Sequence, residues 1–380
     1  MNKTGIVISG TGLFIPPFSI SNEELVASYN RYVVHHNDAY KAQIEKGEHE
    51  PLQESSTAFI EKASGIKSRY VIDKIGVLDP TILHPLIAER ADDVLSVQAE
   101  MAVNAAREAL TKANKKAEDV DLLIVACSNL QRAYPAVSIE VQQALGCVGY
   151  AFDMNVACSS ATFGIKTAVD ALINKTANTA LVINPEICSA HLEFHDRDCH
   201  FIFGDVCTAV VLQRKECIDS VLSKKSDHFE IVSTKLKTQF SNNIRNNFGF
   251  LNRCSPETQF SRDKTFRQNG RKVFKEVVSW VSELILDHLG DESISSSKVK
   301  RLWLHQANIN MNDLIARKVF GRDYDELEAP NILKEFANTS SAGSIVAFHR
   351  FHNDLQSGDI GVICSFGAGY SAGSILLMKE

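Results

Sequence analysis

Residues 157–183 read ACSSATFGIKTAVDALINKTANTALVI, and residues 337–363 read ANTSSAGSIVAFHRFHNDLQSGDIGVI. Both stretches begin with a small residue and a polar cluster, continue with helical apolar spacing and end in an apolar strand. They align without a gap, which places Cys158 opposite Asn338. Self-similarity at a fixed separation indicates a duplicated supersecondary unit, and the rest of the architecture follows from this pair.

The duplication extends to both sides of these stretches. A helical pattern, a polar linker and an apolar strand precede each copy, and a glycine-bearing turn and an apolar strand close each one. The segments are 99–113 with 122–128, 272–290 with 299–306, and the closing strands 204–213 and 371–379. Strands that alternate with helices predict mainly parallel sheets covered by helices, so we expect an α/β protein of two pseudo-symmetric halves packed together.

The predicted domain organisation is an N-terminal half over residues 1–213 and a C-terminal half over residues 214–380. Two segments, 30–55 and 73–95, fit neither repeat. The first is polar and is predicted to be helical, whereas prolines break the second into a long surface excursion.

Composition limits the kind of protein this can be. The 380 residues are 44% hydrophobic and 23% charged, which is enough apolar material for two core regions. A net charge of −6 argues against a nucleic-acid partner. The apolar runs are too short for a membrane span, and the N-terminal segment is predicted to be a first strand, so a cytoplasmic protein without a membrane partner is expected. Nine cysteines, an odd number, suit free thiols in a reducing compartment.

Cys158 is the first candidate catalytic residue. Residues 151–157 are predicted to form a buried strand, and Ser159 and Ser160 suit the start of a helix. A cysteine at a helix amino end is exposed to N–H groups and to the positive end of the helix dipole, which favour the reactive thiolate. A buried thiol that only fills a gap is the alternative.

The repeat itself supplies two more candidates. Pseudo-symmetric helix starts that meet at the centre would bring Cys158 close to Asn338. The strand 299–304 delivers His305 from its carboxyl end, where α/β sheets keep their sites. Their joint occurrence at equivalent points of a repeat favours a catalytic cluster over a structural histidine and a helix-capping asparagine.

A cluster of cysteines and histidines allows a metal site as an alternative. Its gaps resemble a zinc loop, but acidic and aromatic residues are interleaved and no two tight ligand pairs occur, so we expect no metal. The residues are Cys188, His191, His195 and Cys199, followed by His200 and Cys207.

At this point the chain resembles a known family, the beta-ketoacyl-acyl-carrier-protein synthases of type III in the thiolase superfamily. The motifs that carry the resemblance occur in the family's order over nearly the whole chain. They are GTGLFIPP, FIEKASGIKSRYV, DLLIVACSN, AYPAV, FDMNVACSSATFG, FIFGD, NGRKVFK, WLHQANIN, ANTSSAGSI and SFGAGYSAGSIL. The two inserts and residues 214–261 are poorly covered.

The resemblance implies a fold, a reaction and partners. The fold is a thiolase-like five-layer αβαβα sandwich. The reaction is a decarboxylative condensation of an acyl-CoA with malonyl-ACP in fatty acid biosynthesis, and no cofactor is expected. The long inserts look most like the beta-ketodecanoyl branch, which elongates a medium-chain donor such as octanoyl-CoA. Polyketide or head-to-head condensing enzymes with the same three residues are the alternative, and a non-catalytic binding subunit is a further one.

The resemblance also assigns roles to residues. Cys158 looks like the acylated nucleophile, and His305 and Asn338 look like the pair that handles decarboxylation. The tetrahedral intermediate at Cys158 needs its own oxyanion hole. By resemblance this hole is the Cys158 amide with an amide from the turn Gly367, Ala368 and Gly369, where Ala368 departs from the family's glycine run.

Substrate-binding positions depart further from the family pattern. Phe59 stands where a tryptophan usually stacks on the adenine of coenzyme A. The arginine near it is replaced by Ala63, with Lys62 beside it, and another basic position is Asn310. Arg317 and Lys318 retain a basic helix end where a phosphopantetheine arm or an acidic carrier protein could dock, although a solvated helix face explains those two equally well.

Tyr134 leads to the expectation of a homodimer. It matches a position where an aromatic residue crosses the family's dimer interface and closes the neighbour's acyl pocket. The alternative is a tyrosine that packs inside its own subunit.

Overall fold

The computed structural model describes residues 4–218 and 228–380. Up to residue 218 the elements are β1 (Ile6–Phe14), β2 (Phe18–Ser21), α1 (Asn22–Ala39), α2 (Lys41–Glu45), α3 (Thr57–Ser64), β3 (Ser68–Val71), α4 (Ile75–Leu78), α5 (Val97–Lys112), β4 (Leu122–Ala126), α6 (Val137–Leu145), β5 (Tyr150–Met154), α7 (Ser160–Ile173), β6 (Thr179–Glu186) and β7 (Val206–Arg214). From residue 228 they are β8 (Phe229–Thr238), β9 (Ile244–Arg245), β10 (Arg267–Gln268), α8 (Gly270–Asp291), β11 (Val299–Leu304), α9 (Ile309–Phe320), α10 (Leu333–Phe336), α11 (Gly343–Arg350), β12 (Ile360–Gly367) and β13 (Ser371–Lys379).

The main strands form one hydrogen-bonded series in the order β5-β4-β6-β7-β1-β8-β13-β12-β11. Strand β4 runs parallel to β5 and β6, and β11 runs parallel to β12, whereas the other neighbours are antiparallel. The junction of β1 with β8 consists of only two residue pairs, Val7 with Glu230 and Ile8 with Phe229. The series therefore divides at that junction into an N-terminal and a C-terminal set of strands.

Alternating side chains bury the strands on both faces. In β4, Ile124 packs in a cluster with α7 and α11, whereas Leu123 and Val125 pack in a second cluster with α5 and α6. The C-terminal set repeats this pattern, with Ile363 facing α7 and α11 and Val362 facing α8 and α9. Helices α7 and α11 thus form a central layer between the two strand sets. This arrangement confirms the predicted α/β class and the five-layer αβαβα order.

Two glycines let α5 approach β1 closely. A Cβ on Gly10 would lie 2.3 Å from the carbonyl oxygen of Ala109, and one on Gly12 would lie 1.9 Å from that of Ala105. No side chain fits at either distance, so helix and strand backbones are in direct contact there. The stretch GTG in the first strand is therefore required by packing.

The two inserts lie beside a fourth core cluster. Helices α1 and α2 account for most of residues 30–45, and α4 is the one helix within residues 73–95. Leu25 of α1, Val77 of α4 and Leu83 pack in this cluster with Ile60 and Phe201.

Division of the chain into two halves after residue 213 stays a prediction. In the described ranges, no helix has the length and apolar character needed to cross a membrane.

The strand that precedes Cys158 differs from its prediction. It ends at Met154 and is not fully buried, since Tyr150 is exposed and the rest is half-buried. The physical reason is its position at the end of the series, where β5 pairs with β4 alone. Apolar composition did not reveal which strand lies at the edge.

Candidate active site

Cys158 lies in a tight turn between β5 and α7. Ala157 has a φ of 47°, in the left-handed region that costs a residue with a Cβ about 1–3 kcal/mol. The Ser160 hydroxyl closes this turn by donating to the Ala157 carbonyl at 2.7 Å and accepting from the Val156 N–H at 2.8 Å. Helix α7 begins at Ser160, but Ser159 does not cap it, because its hydroxyl donates to the Ser371 carbonyl at 2.9 Å.

Three hydrogen-bond donors surround the Cys158 sulfur. The Ser340 hydroxyl lies 3.4 Å from Sγ, and the backbone N–H groups of Ala368 and of Cys158 itself also contact the sulfur. Burial nevertheless outweighs them and raises the pKa of Cys158 to about 11. The thiol is therefore protonated near neutral pH, because its desolvation exceeds the gain from nearby donors.

Gly367 forms one wall against Cys158. A Cβ on Gly367 would lie 2.5 Å from Cys158 Cβ and 3.0 Å from Sγ. The predicted turn therefore does reach the cysteine, with Gly367 packed on its side chain and Ala368 directing an N–H at its sulfur. Gly369, with a φ of 133°, adopts a conformation that favours glycine.

His305 follows β11 and is buried at the bottom of the site. Its backbone N–H donates to the Cys364 carbonyl at 2.7 Å, and its ring meets Phe366 edge-on with 5.1 Å between centroids. Burial lowers the pKa of His305 to about 4, against an opposing hydrogen bond to the Ser340 backbone. The imidazole is thus neutral near pH 7 and carries one N–H, which a ligand would have to take over from the Ser340 backbone.

Asn338 is held on both sides of its backbone. Its N–H donates to the Ile202 carbonyl at 2.9 Å, and its carbonyl accepts from the Gly204 N–H at 3.0 Å. The side-chain Oδ1 accepts from the Ser340 N–H at 2.9 Å. Because the amide oxygen is occupied, the Nδ2 group is the donor that remains for a ligand.

The turns that hold Cys158 and Asn338 share a positive φ at the alanine before each residue. Ala337 has a φ of 55°, close to the 47° of Ala157 at the equivalent point of the repeat. The two turns also lie against each other, because Ser340 of one contacts Cys158 of the other. The repeat therefore places the two residues together, as the alignment of the halves predicted.

Two cavities meet at Cys158. The first, of about 350 Å³, is lined by Cys158, His305, Asn338 and Gly367 together with apolar side chains. The second, of about 430 Å³, is lined by Cys158, Ala368 and Gly369 and by the segment between β8 and β9. A thioester in the first cavity and its acyl chain in the second would share the cysteine as their meeting point.

The other predicted binding residues do not line these two cavities. Arg317 is paired with Asp313 at 2.9 Å and with Asp323, and the Lys318 ammonium donates to the Ser279 hydroxyl at 2.9 Å. Lys62 is exposed on α3, and Tyr134 is 84% exposed in the single chain.

Phe59 has a partner that sequence reasoning missed. The guanidinium of Arg197 lies 4.1 Å from the centroid of its ring, in a cation–π contact. Arg271, at the start of α8, is exposed and lines the first cavity. No sequence signal singled out Arg197, whereas Arg271 lies inside the motif NGRKVFK.

The cysteine and histidine loop uses its polar groups internally. Cys188 Sγ lies 3.8 Å from a Glu186 oxygen, and His195 Nδ1 lies 2.8 Å from Glu193. His191 lines the second cavity, and neither of its ring nitrogens has a hydrogen-bond partner. Within residues 4–218 and 228–380, no three His, Cys, Asp or Glu side chains come together in a way that could hold a metal ion.

Comparison with known proteins gives consistent matches. Residues 152–238 match the family model 3-oxoacyl-[acyl-carrier-protein] synthase III, and residues 289–379 match the C-terminal model of the same enzymes. The chain is 58% identical over 353 residues to a beta-ketodecanoyl-[acyl-carrier-protein] synthase of Pseudomonas aeruginosa. The aligned region covers 93% of this chain and 99% of that protein. It is 27% identical over 382 residues to a beta-ketoacyl-[acyl-carrier-protein] synthase III of Wolbachia pipientis, with 99% of each chain covered.

The solved structures show the same fold. A 3-oxoacyl-[acyl-carrier-protein] synthase III of Aquifex aeolicus superposes with a TM-score of 0.75 at 23% identity and covers 98% of this chain and 99% of its own. At that identity the likeness concerns the fold alone.

Proposed function

Because the chain belongs to the beta-ketoacyl-acyl-carrier-protein synthase III family, whose members are also called 3-oxoacyl synthases, we propose that Cys158, His305 and Asn338 catalyse its reaction. The enzyme is an acyltransferase that condenses an acyl-CoA with malonyl-ACP in fatty acid synthesis. The observation that carries the assignment is the convergence of all three side chains on one cavity.

The first half-reaction transfers the acyl group to the cysteine. The Cys158 sulfur attacks the thioester carbonyl, the carbon–sulfur bond to coenzyme A breaks, and the thiol proton ends on the departing coenzyme A. The oxyanion of the intermediate is stabilised by the N–H groups of Cys158 and Ala368, which already contact the sulfur. A protonated resting thiol means that proton loss accompanies attack.

The second half-reaction forms the new carbon–carbon bond. Malonyl-ACP loses carbon dioxide, and the electron pair forms an enolate whose oxygen accepts hydrogen bonds from His305 and the Asn338 amide. The enolate carbon attacks the acyl-cysteine, the thiolate of Cys158 leaves, and one proton from solvent restores the thiol. A neutral histidine suits this role because it donates without protonating the enolate carbon.

We propose a medium-chain acyl donor. A ten-carbon product needs an eight-carbon donor, since malonyl contributes two carbons, and the 58% identical relative is named for a ten-carbon product. The second cavity is proposed as the space for the chain, because it is lined by Cys158 and not by His305 or Asn338.

Coenzyme A recognition is proposed to use the first cavity and its rim. The Arg197 guanidinium, which stacks on the Phe59 ring, offers a planar cation to an adenine nucleotide. Arg271 offers a cation at the cavity itself. These cations would replace the basic residues that the family has at the positions of Ala63 and Asn310. Lys62 and the basic end of α9 would attract the phosphates only at longer range.

The homodimer is proposed on the exposure of one edge of the molecule. Strand β5 ends its set with only β4 as a neighbour, and such an edge tends to pair with another chain. Large apolar side chains are exposed in the loops on either side of α6, between β4 and β5, with Tyr134 at 84% and Val148 at 71%. A second copy seated there would bury them and place Tyr134 against the partner's acyl cavity.

Mass spectrometry after incubation with octanoyl-CoA tests the assignment of the nucleophile. We expect one added octanoyl group on the peptide that contains Cys158, and none in Cys158→Ala. Cys147→Ala is the matched control, because Cys147 is also half-buried but lines neither cavity. An octanoyl group on Cys127 or Cys188 would contradict the proposal.

A further inference from the structure

Glu186, at the end of β6, is a buried carboxylate between the two halves. Its Oε1 accepts from the backbone N–H groups of Ser128 at 3.0 Å and Ser341 at 3.2 Å. The Ser128 hydroxyl donates to Oε2 at 2.5 Å, and the Ser341 hydroxyl donates to Oε1. Ser128 belongs to the N-terminal half and Ser341 to the C-terminal half, so one carboxylate joins them.

From Ser128 the connection continues to the nucleophile. The Asn155 amide donates to the Ser128 carbonyl at 2.7 Å, and the Asn155 Oδ1 accepts from the Ala157 N–H at 2.8 Å. Ala157 is the left-handed residue directly before Cys158. The position of the Cys158 turn thus depends on where Glu186 holds Ser128.

From Ser341 the connection continues to the decarboxylation pair. Its neighbour Ser340 has a φ of 50°, and the Ser340 N–H holds the Asn338 amide oxygen at 2.9 Å. The Ser340 hydroxyl is also the group that contacts Cys158 Sγ. Strained turns persist only where their surroundings over-determine them, and Glu186 is the group that both turns share.

We propose that Glu186 is a positioning residue that holds the Cys158 turn and the Asn338 turn in register, each through its own serine. The inference rests on the proposed function of those two residues. It assigns Glu186 no contact with substrate. Because a displacement of about 1 Å can cost about 100-fold in rate, losing this link should impair both half-reactions.

The carboxylate also places a charge beside the nucleophile. Burial raises the pKa of Glu186, and the hydrogen bonds that Ser128 and Ser341 donate to the carboxylate oppose that rise. This negative charge contributes to the raised pKa of Cys158. The other titratable groups that face the pair are His305, which is neutral, the thiols of Cys127, Cys188 and Cys207, and Asp205.

Separate removal of the two serine hydroxyls tests the link. Ser128→Ala should slow acylation of Cys158 by octanoyl-CoA more than malonyl-ACP decarboxylation, and Ser341→Ala should do the reverse, each by about tenfold. Ser344→Ala is the matched control, since Ser344 is a buried serine of the same half bonded to Ser365 at 2.8 Å and away from Glu186. Equal effects of Ser128→Ala and Ser341→Ala on both half-reactions would overturn the inference.

A second pair of variants separates position from charge. Glu186→Gln keeps an oxygen for both backbone N–H groups, and its amide can donate to the Ser128 hydroxyl. The condensation rate of Glu186→Gln should therefore be at least tenfold higher than that of Glu186→Ala. Glu186→Gln should also speed alkylation of Cys158 by iodoacetamide at pH 8 by about tenfold, which equals one pKa unit. Equal activity of the Gln and Ala variants would refute the positioning role, and an unchanged alkylation rate in Glu186→Gln would refute the charge coupling.

The alkylation assay needs no acyl substrate. If the wild-type enzyme alkylates as expected and Glu186→Gln alkylates faster, yet no octanoyl group is transferred to Cys158, the proposed function fails while the charge coupling stands. If octanoyl transfer proceeds normally but the serine variants show no split, the positioning role fails and the function stands.

Discussion

Replacing Gly367 by Ala should abolish acylation of Cys158 without unfolding the protein. The added Cβ would lie 2.5 Å from Cys158 Cβ and 3.0 Å from Sγ, whereas carbon atoms in contact are normally about 3.5–4.0 Å apart. One of the two residues must therefore move by about 1 Å. The Cys158 side has little freedom, because the Ser160 hydroxyl closes its turn and α7 follows at once.

A shift of that size at the nucleophile should reduce the acylation rate by about 100-fold or more, because the sulfur leaves the Ala368 and Cys158 N–H groups that would stabilise the oxyanion. The assay is the single-turnover rate of octanoyl transfer to Cys158, followed by mass spectrometry. Gly290→Ala is the control, since a Cβ there meets no atom within 4 Å. A folded Gly367→Ala protein that acylates within threefold of wild type would refute the packing argument.

Three further predictions follow from the site. Replacing His305 or Asn338 by Ala should cost about 100-fold or more in decarboxylation while affecting acyl transfer much less, as separate half-reaction assays would show, and equal losses would point to His305 as the base for the thiol. Tyr134→Ala should loosen selectivity toward longer acyl chains in a competition among acyl-CoAs, and an active wild-type monomer in sedimentation would contradict its proposed place at an interface. The free energy of unfolding from urea titrations should fall as the pH drops from 6.5 toward 4. Burial lowers the pKa of His200 and His305 to about 4, so the unfolded chain binds more protons than the folded chain in that pH range. A free energy that stays constant over this range would count against the burial of these histidines.

Much of the site could be predicted because the chain is duplicated. Alignment of the halves placed Cys158 opposite Asn338, and in the structure an alanine with a positive φ precedes each of them. His305 could be placed at the end of a strand from apolar patterning alone. The roles of these residues stay predictions until the half-reactions are measured.

Other features depended on groups far apart in sequence. The helix amino end was expected to favour the thiolate of Cys158, yet the pKa of this thiol is set mainly by desolvation, which reflects all the elements packed around it. Phe59 is in contact with the guanidinium of Arg197, which lies far from it along the chain. No local pattern carries such information.

The sequence by itself determined the α/β class, the repeat and the positions of three candidate catalytic residues, because strand and helix periodicity and a gapless alignment are local properties of the chain. Only the tertiary structure decided that β5 lies at an edge, that Gly367 packs on Cys158 and that Glu186 joins Ser128 to Ser341. Each of these depends on contacts between segments separated by tens to hundreds of residues. Burial and hydrogen bonding at such contacts arise only when the two halves close on each other.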